Sequence, residues 1–247
     1  MTPPRTQPAV DVIEATELRL VEEPPPQLSA EHQAARDRVW DELAQANPFL
    51  FDGPVVACTS LDQSNPHEPV LGWARVTYRN YALRRVPGAR SLPSLFVDVL
   101  QPTDDGALLV AQMSDTTAHP GRWHLPGGSV EHPDALNPLD TAELRHNAAR
   151  ELLEELGIDT APDELTLWAL TRGDHGNIGV HFAAPPRPAT VLNDRFTEAV
   201  SAAAAVGQAP ELDRIAFVHA SADLKALEGP HADYLEPLVD RYARILL

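Results

Sequence analysis

The feature of this sequence that most limits its fold is a strongly helical segment from about Thr141 to Leu156. Its apolar residues recur at helical spacing, Asp140 is a suitable N-cap, and Gly157 is placed to end the helix in a left-handed conformation. Three acidic side chains share one edge of the helix: Glu151, Glu154 and Glu155. The segment therefore predicts an amphipathic helix that packs on a sheet and carries carboxylates along one margin.

Three carboxylates on one helix face repel each other, and each like-charged pair at this spacing costs a few tenths of a kcal/mol. They also oppose the helix dipole, which favours cations near a helix C-terminus. A divalent cation removes both penalties, and oxygen-only ligands favour Mg²⁺, with Mn²⁺ as a substitute. Acidic runs are also common on solvated helices, so the residues before the helix have to decide between these two interpretations.

A tight turn, Leu125-Pro126-Gly127-Gly128, precedes the helix, and the helix itself ends in the run R-E-L-L-E-E-L-G-I. Together they resemble the Nudix box: a glycine, five residues, a glutamate, seven residues, then R-E-U-x-E-E-x-G-U, where U is bulky and aliphatic. The second half matches at every defined position: Arg150, Glu151, Leu152, Glu154, Glu155, Gly157 and Ile158. The resemblance implies an α/β (α+β) Nudix fold, with a mixed sheet sandwiched between helices, and magnesium-dependent hydrolysis of a pyrophosphate bond.

The resemblance also implies roles for individual residues. It makes the three glutamates of the helix edge metal ligands and the carbonyl of Gly127 a further ligand. Arg150 would hold one of the carboxylates in its ligating rotamer through a charge-assisted hydrogen bond. These four side chains and one backbone oxygen are the predicted catalytic and metal-binding set.

The first half of the motif departs from the family pattern. The loop between Gly128 and Arg150 is about eight residues longer than the motif has it, and Pro133 and Pro138 mark the extra length. The motif's first glutamate falls on Asp134 when counted from the glycine, or on Ala142 when counted back from the arginine. We therefore expect this glutamate to be missing or replaced, while the fold and the metal site are retained.

Composition changes along the chain predict three parts: a Pro-rich N-terminal segment (1–28), an N-terminal helix-plus-strands extension packed on the core (29–93), and the Nudix hydrolase domain (94–247). Ser29 is placed to cap a helix that runs to Ala46, and two strands follow it, VVACTS and VLGWARVTYRNYAL. Later strands are mostly joined as hairpins, which favours a largely antiparallel mixed α/β architecture. The sequence leaves open whether residues 1–90 form a homodimer interface, a lid or part of the substrate pocket.

A second, narrower resemblance concerns the substrate. A helix ending in NPFLFDGP, ahead of strands and a lengthened box, is similar to the Nudix branch that hydrolyses UDP-glucose. It implies a nucleotide-sugar substrate, with UMP and a sugar 1-phosphate as products. The alternatives are hydrolysis of ADP-ribose or of nucleoside triphosphates, and a non-catalytic nucleotide sensor that kept the fold; the intact R-E-L-L-E-E-L-G-I argues against the sensor.

Further candidates for substrate binding come from charged and aromatic residues outside the motif. They are Arg84, Arg85 and Arg90 (in a cluster with Arg79), Trp123, His175, and the candidate bases Glu211 and Asp213. Arginines can contact phosphates and a tryptophan can stack on a base, whereas a solvated loop and a core side chain are the ordinary alternatives.

The composition of the chain limits the classes of molecule that it can bind. A formal net charge of −17 disfavours nucleic acid, although a divalent cation still allows an anionic small molecule to bind. No apolar run approaches the roughly 20 residues of a membrane span, and the first residues show no signal-peptide pattern, so we expect a soluble cytoplasmic protein. Cys58 is the only cysteine, which excludes an intrachain disulfide and a cysteine-rich zinc site; we expect it to be a buried strand residue rather than a nucleophile.

Overall fold

The structure is a computed structural model that describes residues 10–132 and 138–246. Within these ranges the strands are β1 (Asp11–Ile13), β2 (Arg19–Glu22), β3 (Pro54–Asp62), β4 (Val70–Thr77), β5 (Leu95–Leu100), β6 (Leu108–Met113), β7 (Trp123–His124), β8 (Gly127–Ser129), β9 (Thr166–Arg172), β10 (Ile178–Ala183) and β11 (Leu212–Val218). The α-helices are α1 (Ala30–Ala46), α2 (Thr141–Leu156), α3 (Ala189–Ala205), α4 (Ser221–Leu224) and α5 (Leu235–Leu246). Short 3₁₀ helices cover Tyr78–Arg85, Pro162–Glu164 and Asp174–Gly176.

The described strands form three sheets. The largest has the order β1-β9-β10-β5-β8, and the other two have the orders β11-β6-β7 and β2-β4-β3. Two pairs, β5 with β10 and β2 with β4, are parallel, and the remaining pairs are antiparallel. The predicted mixed, largely antiparallel architecture is confirmed.

Strand β5 lies between two layers of helix, and its alternating side chains show this directly. Leu95, Val97 and Val99 face a core that includes the apolar side of α2. Phe96 and Leu100, on the opposite side of the same strand, pack in a second core built around α5. A sheet buried on both faces is the reason that this strand is almost continuously apolar in sequence.

Helix α2 has the boundaries and caps that the sequence predicts. The side chain of Asp140 accepts a hydrogen bond of 2.8 Å from the backbone N–H of Glu143, and Gly157 ends the helix at φ 67°. Leu144, Leu152 and Leu156 are fully buried against the sheet. Burial of each leucine contributes about 1.5–3 kcal/mol, which fixes the face that α2 turns inward and so fixes where its acidic edge lies.

The N-terminal extension is joined to the rest of the chain by backbone hydrogen bonds. The N–H of Val56 donates to the carbonyl of Val130 at 2.9 Å, and Ala57 forms an antiparallel bridge with Ser94. Ser29 caps α1 as predicted, and Trp40 on that helix is buried. Burial raises the pKa of the Cys58 thiol to about 11, as expected for a core cysteine.

Three elements that the sequence pattern predicts differ from the structure. The segment VDVIEATELRLVEE predicts one extended strand, but it forms two short ones, of which β1 pairs with β9 and β2 with β4. The strand predicted over VLGWARVTYRNYAL ends at Thr77, because the Tyr78 N–H bonds to the Gly53 carbonyl and the chain then turns into a 3₁₀ helix. The apolar spacing near the end of the sequence predicts a last helix from about Pro230 to Ile245, and this helix begins at Leu235.

The hairpin predicted for β5 and β6 forms only beside its turn. A single bridge joins Pro102 to Leu108, and the Leu109 N–H donates to the Gln101 carbonyl at 3.0 Å. Beyond this point the two strands belong to different sheets. The turn residues indicated the reversal of the chain correctly, but the sheet each strand joins is set by contacts with distant segments.

Candidate active site

The glycine turn places the backbone directly against the acidic edge of α2. Strand β8 pairs with β5 so that Gly127 lies opposite Asp98, and Gly127 adopts φ 148°. A Cβ atom on Gly127 would overlap the carbonyl oxygen of Val97, and one on Gly128 would lie 2.8 Å from Oε2 of Glu151. Gly127 therefore requires glycine for its backbone conformation, and the absence of a side chain at Gly128 lets the turn approach a carboxylate closely.

The three glutamates of the acidic edge have different environments. Oε2 of Glu155 accepts a hydrogen bond of 2.8 Å from the backbone N–H of Gly127. The side chain of Glu151 is 12% exposed, whereas that of Glu154 is 57% exposed. Two of the predicted ligands therefore lie against the glycine turn, and the third faces solvent.

Arg150 lies at the centre of a network of carboxylates. Its Nη2 donates to Oε1 of Glu151 at 2.9 Å, and its Nη1 donates to Oε2 of Glu154 at 2.8 Å. Nη2 is also 3.5 Å from Oε1 of Glu131, which follows the glycine turn. A planar guanidinium can bridge two carboxylates in this way and hold both in fixed rotamers.

Glu131 is a contact that the motif spacing did not reveal. Counting along the motif pointed to Asp134 or Ala142 for the first glutamate; Asp134 and Pro133 lie outside the described residues, and Ala142 is in the first turn of α2. A carboxylate near Arg150 is nevertheless present, supplied from the near side of the long loop. The only signal in the sequence was an acidic residue three positions after Gly128.

Burial disfavours the charged forms of the inner carboxylates. It raises the pKa of Glu151 to about 7, with further repulsion from Glu154 and Glu211. The pKa of Glu155 is raised well above its ordinary value, first by burial and then by Glu151. A cation beside these groups would offset the cost of keeping them ionised.

The donor chemistry of this cluster fits a hard divalent cation, since all of its donors are oxygen atoms. Among the residues that the structure describes, no group of three His, Cys, Asp or Glu side chains has the arrangement of a ready-made metal site. The carboxylates of Glu151 and Glu154 are both hydrogen-bonded to Arg150. The helix edge therefore provides oxygen ligands of the kind that a divalent cation prefers.

A buried polar group lies behind the glycine turn and was missed by the sequence reasoning. Asp98 accepts a hydrogen bond from the Tyr234 hydroxyl, and its Oδ2 is 3.5 Å from Nδ1 of His181. Nε2 of His181 is 2.7 Å from Oγ1 of Thr171. The signal that could have indicated this group is the single acidic residue in the apolar strand LFVDVL.

Two cavities are lined by residues of the acidic edge, and a third shares part of its wall with one of them. The first, here called the turn cavity, has a volume of about 300 Å³ and is lined by Asp98, Gly127, Gly128, Glu155 and Glu211, among others. The second, the extension cavity, has a volume of about 780 Å³ and lies between the N-terminal extension and the loops near 117–122 and 175–177. The third, the helix cavity, has a volume of about 350 Å³ and lies between α2, α3 and residues 208–211.

The turn cavity and the extension cavity share part of their walls. The shared residues are Tyr78, Tyr81, Arg84, Thr117, Ala118, His119, Arg122 and Asn177. Glu155 and Glu211 in turn line both the turn cavity and the helix cavity. The acidic edge is therefore open on two sides, with cationic side chains towards the N-terminal extension.

The predicted substrate-binding residues are distributed unevenly over these cavities. Arg84, Arg85 and His175 line the extension cavity, and Glu211 lines the two cavities beside the acidic edge. Arg90 lines none of the three. Arg122 and His119, which the sequence reasoning did not select, lie where the turn and extension cavities meet.

Two further candidates are placed away from the cavities. Trp123 is buried, its indole N–H donates to the Glu228 carbonyl at 3.0 Å, and the guanidinium of Arg214 lies 5.8 Å from its ring. The structure therefore corrects the prediction of a base-stacking role, because a ring enclosed in the core offers no face to a ligand. Asp213 is exposed on β11 and lines none of the three cavities.

The glycine turn and the acidic helix edge both lie in a part of the chain that is similar to a known protein family. The model of the NUDIX domain matches residues 94–237. The chain belongs to the Nudix family. It is accordingly a hydrolase of pyrophosphate bonds, in a family whose members generally use divalent metal ions. The match is to the family as a whole, and it does not assign the nucleotide-sugar branch.

Solved Nudix structures resemble this Nudix chain at low identity. A MutT protein from Methanosarcina mazei Go1 is 21% identical over 62% of this chain and 96% of that one, with a TM-score of 0.43. The E. coli ORF135 protein is 23% identical over 62% of this chain and 89% of its own, with a TM-score of 0.38. DR0079 from Deinococcus radiodurans is 17% identical over 64% and 88%, with a TM-score of 0.38. No curated protein matches the chain.

The described part of this Nudix protein contains no helix that combines the length and the apolar character needed to cross a bilayer.

Proposed function

We propose that this Nudix enzyme hydrolyses the pyrophosphate bond of a nucleoside diphosphate linked to a sugar, with UDP-glucose as the leading candidate and UMP and a sugar 1-phosphate as products. The observation that carries the proposal is the placement of the acidic edge between the helix cavity and the turn cavity, the second of which shares its walls with the larger extension cavity. A diphosphate with an organic group at each end requires space on both sides of the reacting phosphates, whereas a nucleoside triphosphate has an organic group at one end only.

The helix cavity has the chemistry of a site for an uncharged, hydroxyl-rich group. Carboxylates line one of its sides, and small residues of α3, Ala199 and Ala203, line another, with Gln208 nearby. The Gln208 amide can donate to and accept from hydroxyl groups, and no basic side chain among the described lining residues could pair with a terminal phosphate. A sugar suits this space better than the last phosphate of a nucleoside triphosphate does.

The cation that the family uses would be held by the carboxylates of the helix edge together with the Gly127 carbonyl. Mg²⁺ fits these oxygen donors, and Mn²⁺ is a substitute. When bound, such a cation neutralises pyrophosphate charge and lowers the pKa of the attacking water. Arg150 orients Glu151 and Glu154 for this purpose, and Glu155 is oriented by the Gly127 N–H.

The chain's own groups supply the remaining electrostatics. Arg84 and Arg122 face the junction of the turn and extension cavities, where they can stabilise negative charge on the phosphate oxygens. Glu211 is an exposed carboxylate at the mouth of both cavities beside the acidic edge, so we assign it the proton of the attacking water. Asp213, the other candidate, lies outside these cavities.

The test is product analysis on a panel of UDP-glucose, other nucleoside diphosphate sugars, ADP-ribose and nucleoside triphosphates, with and without Mg²⁺. We expect UMP and glucose 1-phosphate from UDP-glucose in the presence of Mg²⁺ only. Glu155→Gln should abolish turnover, and Asp213→Asn, as a matched control, should retain it. Release of inorganic pyrophosphate from triphosphates alone would contradict the proposed substrate, and binding of UDP-glucose without turnover of any substrate would indicate a sensor.

A further inference from the structure

The residues that line the extension cavity fall into two chemical groups. The first, here called the aromatic wall, is apolar and aromatic and comes from the N-terminal extension: Trp40, Leu43, Leu50, Tyr78 and Tyr81. The second, here called the cationic wall, has three arginines, of which Arg84 and Arg85 come from the same extension and Arg122 from a later loop. Asp233 is the one carboxylate among the described lining residues. In a chain with a net charge of −17, three arginines against one carboxylate favour an anionic ligand with a flat apolar part.

The guanidinium of Arg122 interacts electrostatically with the buried carboxyl of Asp98 and, within the described part of the chain, still has one hydrogen-bond donor to spare. Its backbone is fixed, because the Met113 N–H donates to the Arg122 carbonyl at 3.0 Å and the Arg122 N–H donates to the His119 carbonyl at 3.2 Å. Its Nε is buried and lacks a hydrogen-bond acceptor among the described residues. A buried, unpaired guanidinium nitrogen is costly, so a phosphate oxygen is a suitable partner for it.

Arg84 approaches the same junction from the N-terminal extension. Its Nη2 donates to Oδ1 of Asn177 at 2.6 Å, and its guanidinium lies 4.8 Å from the centre of the Tyr81 ring. The asparagine and the ring hold the arginine in one orientation. The two guanidiniums therefore approach the point where the extension cavity meets the turn cavity from separate parts of the chain.

The aromatic wall is rigidly supported. The Tyr81 hydroxyl donates to the Val56 carbonyl at 3.2 Å, and the ring meets Tyr78 edge-on at a centroid distance of 5.4 Å. The Asn47 amide, at the end of α1, donates to the Thr117 carbonyl at 3.1 Å on the opposite side of the cavity. A preorganised wall of this kind loses little entropy when a planar ring packs on it.

We propose that the extension cavity binds the nucleoside half of the substrate, with the base against Tyr78 and Tyr81 and its phosphate between Arg84 and Arg122. A volume of about 780 Å³ is ample for a nucleoside and lies within the usual range of ligand sites. A sugar fits this cavity less well, because hydrogen-bonding carboxylates are scarce there and abundant in the helix cavity. This assignment rests on the proposed function, and it makes the N-terminal extension the part of the chain that selects the base.

The experiment measures binding of the two product halves separately, by calorimetry in EDTA, so that it does not depend on turnover. UMP, AMP, CMP and GMP are the nucleotide probes, and glucose 1-phosphate is the sugar probe. We expect Tyr78→Leu and Arg122→Gln each to weaken binding of the preferred nucleotide by about tenfold or more, which is a typical loss for a base stack or a charged phosphate contact. Binding of glucose 1-phosphate should change less than twofold.

Matched control variants separate these effects from a general loss of folding. Phe51→Ala removes an aromatic ring that is 77% exposed and outside the cavity, and Arg38→Gln removes an exposed arginine of α1; both should bind nucleotides as the unmodified chain does. Tyr78→Phe keeps the ring and should bind within twofold, which would assign the Leu effect to loss of the ring. Retained binding of glucose 1-phosphate by Tyr78→Leu would show that this variant is folded. Equal loss of both probes in Tyr78→Leu, unchanged nucleotide binding, or no binding of any nucleotide would each overturn the assignment.

The experiment distinguishes failure of the cavity assignment from failure of the proposed function. If nucleotide binding depends on Tyr78 and Arg122 but UDP-glucose is not hydrolysed, the cavity assignment stands and the proposed reaction fails. If UDP-glucose is hydrolysed by Tyr78→Leu with unchanged KM, the reaction stands and the cavity assignment fails.

Discussion

The backbone N–H of Gly127 donates a hydrogen bond of 2.8 Å to the carboxylate of Glu155. This single contact joins the glycine turn to the acidic edge of α2, two segments separated in sequence by the long loop. It also orients a carboxylate that burial alone would favour in its neutral form. The geometry of the candidate active site therefore depends on how closely the turn approaches the helix.

Gly128→Ala should separate activity from stability. Its Cβ would lie 2.8 Å from Oε2 of Glu151, which is the end of a flexible side chain, so the carboxylate can move at little cost to folding. We expect kcat to fall by about tenfold or more, since a small misplacement of a reacting group is costly. Gly88→Ala should show the opposite pattern, because Gly88 has φ 74° and open space around it. We expect its free energy of unfolding to fall by about 1 kcal/mol and its kcat to be unchanged. Steady-state kinetics and urea unfolding measure both quantities.

Arg150→Lys should weaken metal binding more than it weakens the fold. A lysine keeps the charge but cannot bridge Glu151 and Glu154 with a planar pair of donors. We expect the Mg²⁺ concentration for half-maximal activity to rise by about tenfold, consistent with the usual effect of losing a residue that orients a ligand. Arg195→Lys, in an exposed pair with Glu198, is the control and should leave the Mg²⁺ dependence unchanged. An identical Mg²⁺ titration for Arg150→Lys would contradict the orienting role.

Tyr234→Phe should destabilise the chain without altering its surface. The variant removes the donor to buried Asp98, whose Oδ2 is otherwise 3.5 Å from Nδ1 of His181. Loss of one hydrogen bond to a buried carboxyl costs about 1–3 kcal/mol. Tyr242→Phe, on α5, is the matched control, and we expect it to change the free energy of unfolding by less than about 0.5 kcal/mol. Equal effects of the two variants in urea unfolding would show that the Asp98 contact contributes no stability of its own.

His124 should make the fold sensitive to acid. Burial, with added repulsion from Arg122, lowers its pKa to about 4, below the ordinary value of 6.5. The unfolded chain therefore binds a proton that the folded chain does not, and stability is lost as the pH falls from about 6.5 to about 4. His124→Gln should lose less stability than the unmodified chain over this interval, by about 3 kcal/mol at the acid end. His119, whose pKa burial also lowers, is present in both proteins and does not affect the difference. Parallel loss of stability in the two proteins, measured by urea unfolding at each pH, would exclude His124 as the cause.

Local sequence patterns predicted most of the local structure. The bounds and caps of α2 follow from Asp140, Gly157 and the spacing of its leucines, and the motif found the residues of the acidic edge, because all of these lie within a few turns of chain. Contacts across long sequence separations were not predictable in this way. The pairing of Arg150 with Glu131 bridges the lengthened loop, and the hydrogen bond from Tyr234 to Asp98 joins the start of the last helix to a central strand.

The cationic wall of the extension cavity shows the same limit. Arg84 and Arg85 were selected because they form a cluster in sequence, and the structure places both on the cavity. Arg122 has no such cluster around it, and only the fold brings it opposite the N-terminal extension. Trp123 shows the opposite case. It was predicted to stack on a base because it is adjacent to the motif, but contacts with β6 and with the loop at Glu228 bury it.

The pairing of β1 with β9 has a practical consequence for dissecting this protein. A fragment cut to the family match, beginning at residue 94, would lack β1 and would leave β9 as the open edge of the largest sheet. Unpaired N–H and C=O groups along such an edge invite pairing with other copies, so the fragment should aggregate. It would also lose Val56, Leu71 and Trp73 from the main core. The first strand of the chain thus acts as an edge protector for a domain that begins more than eighty residues later.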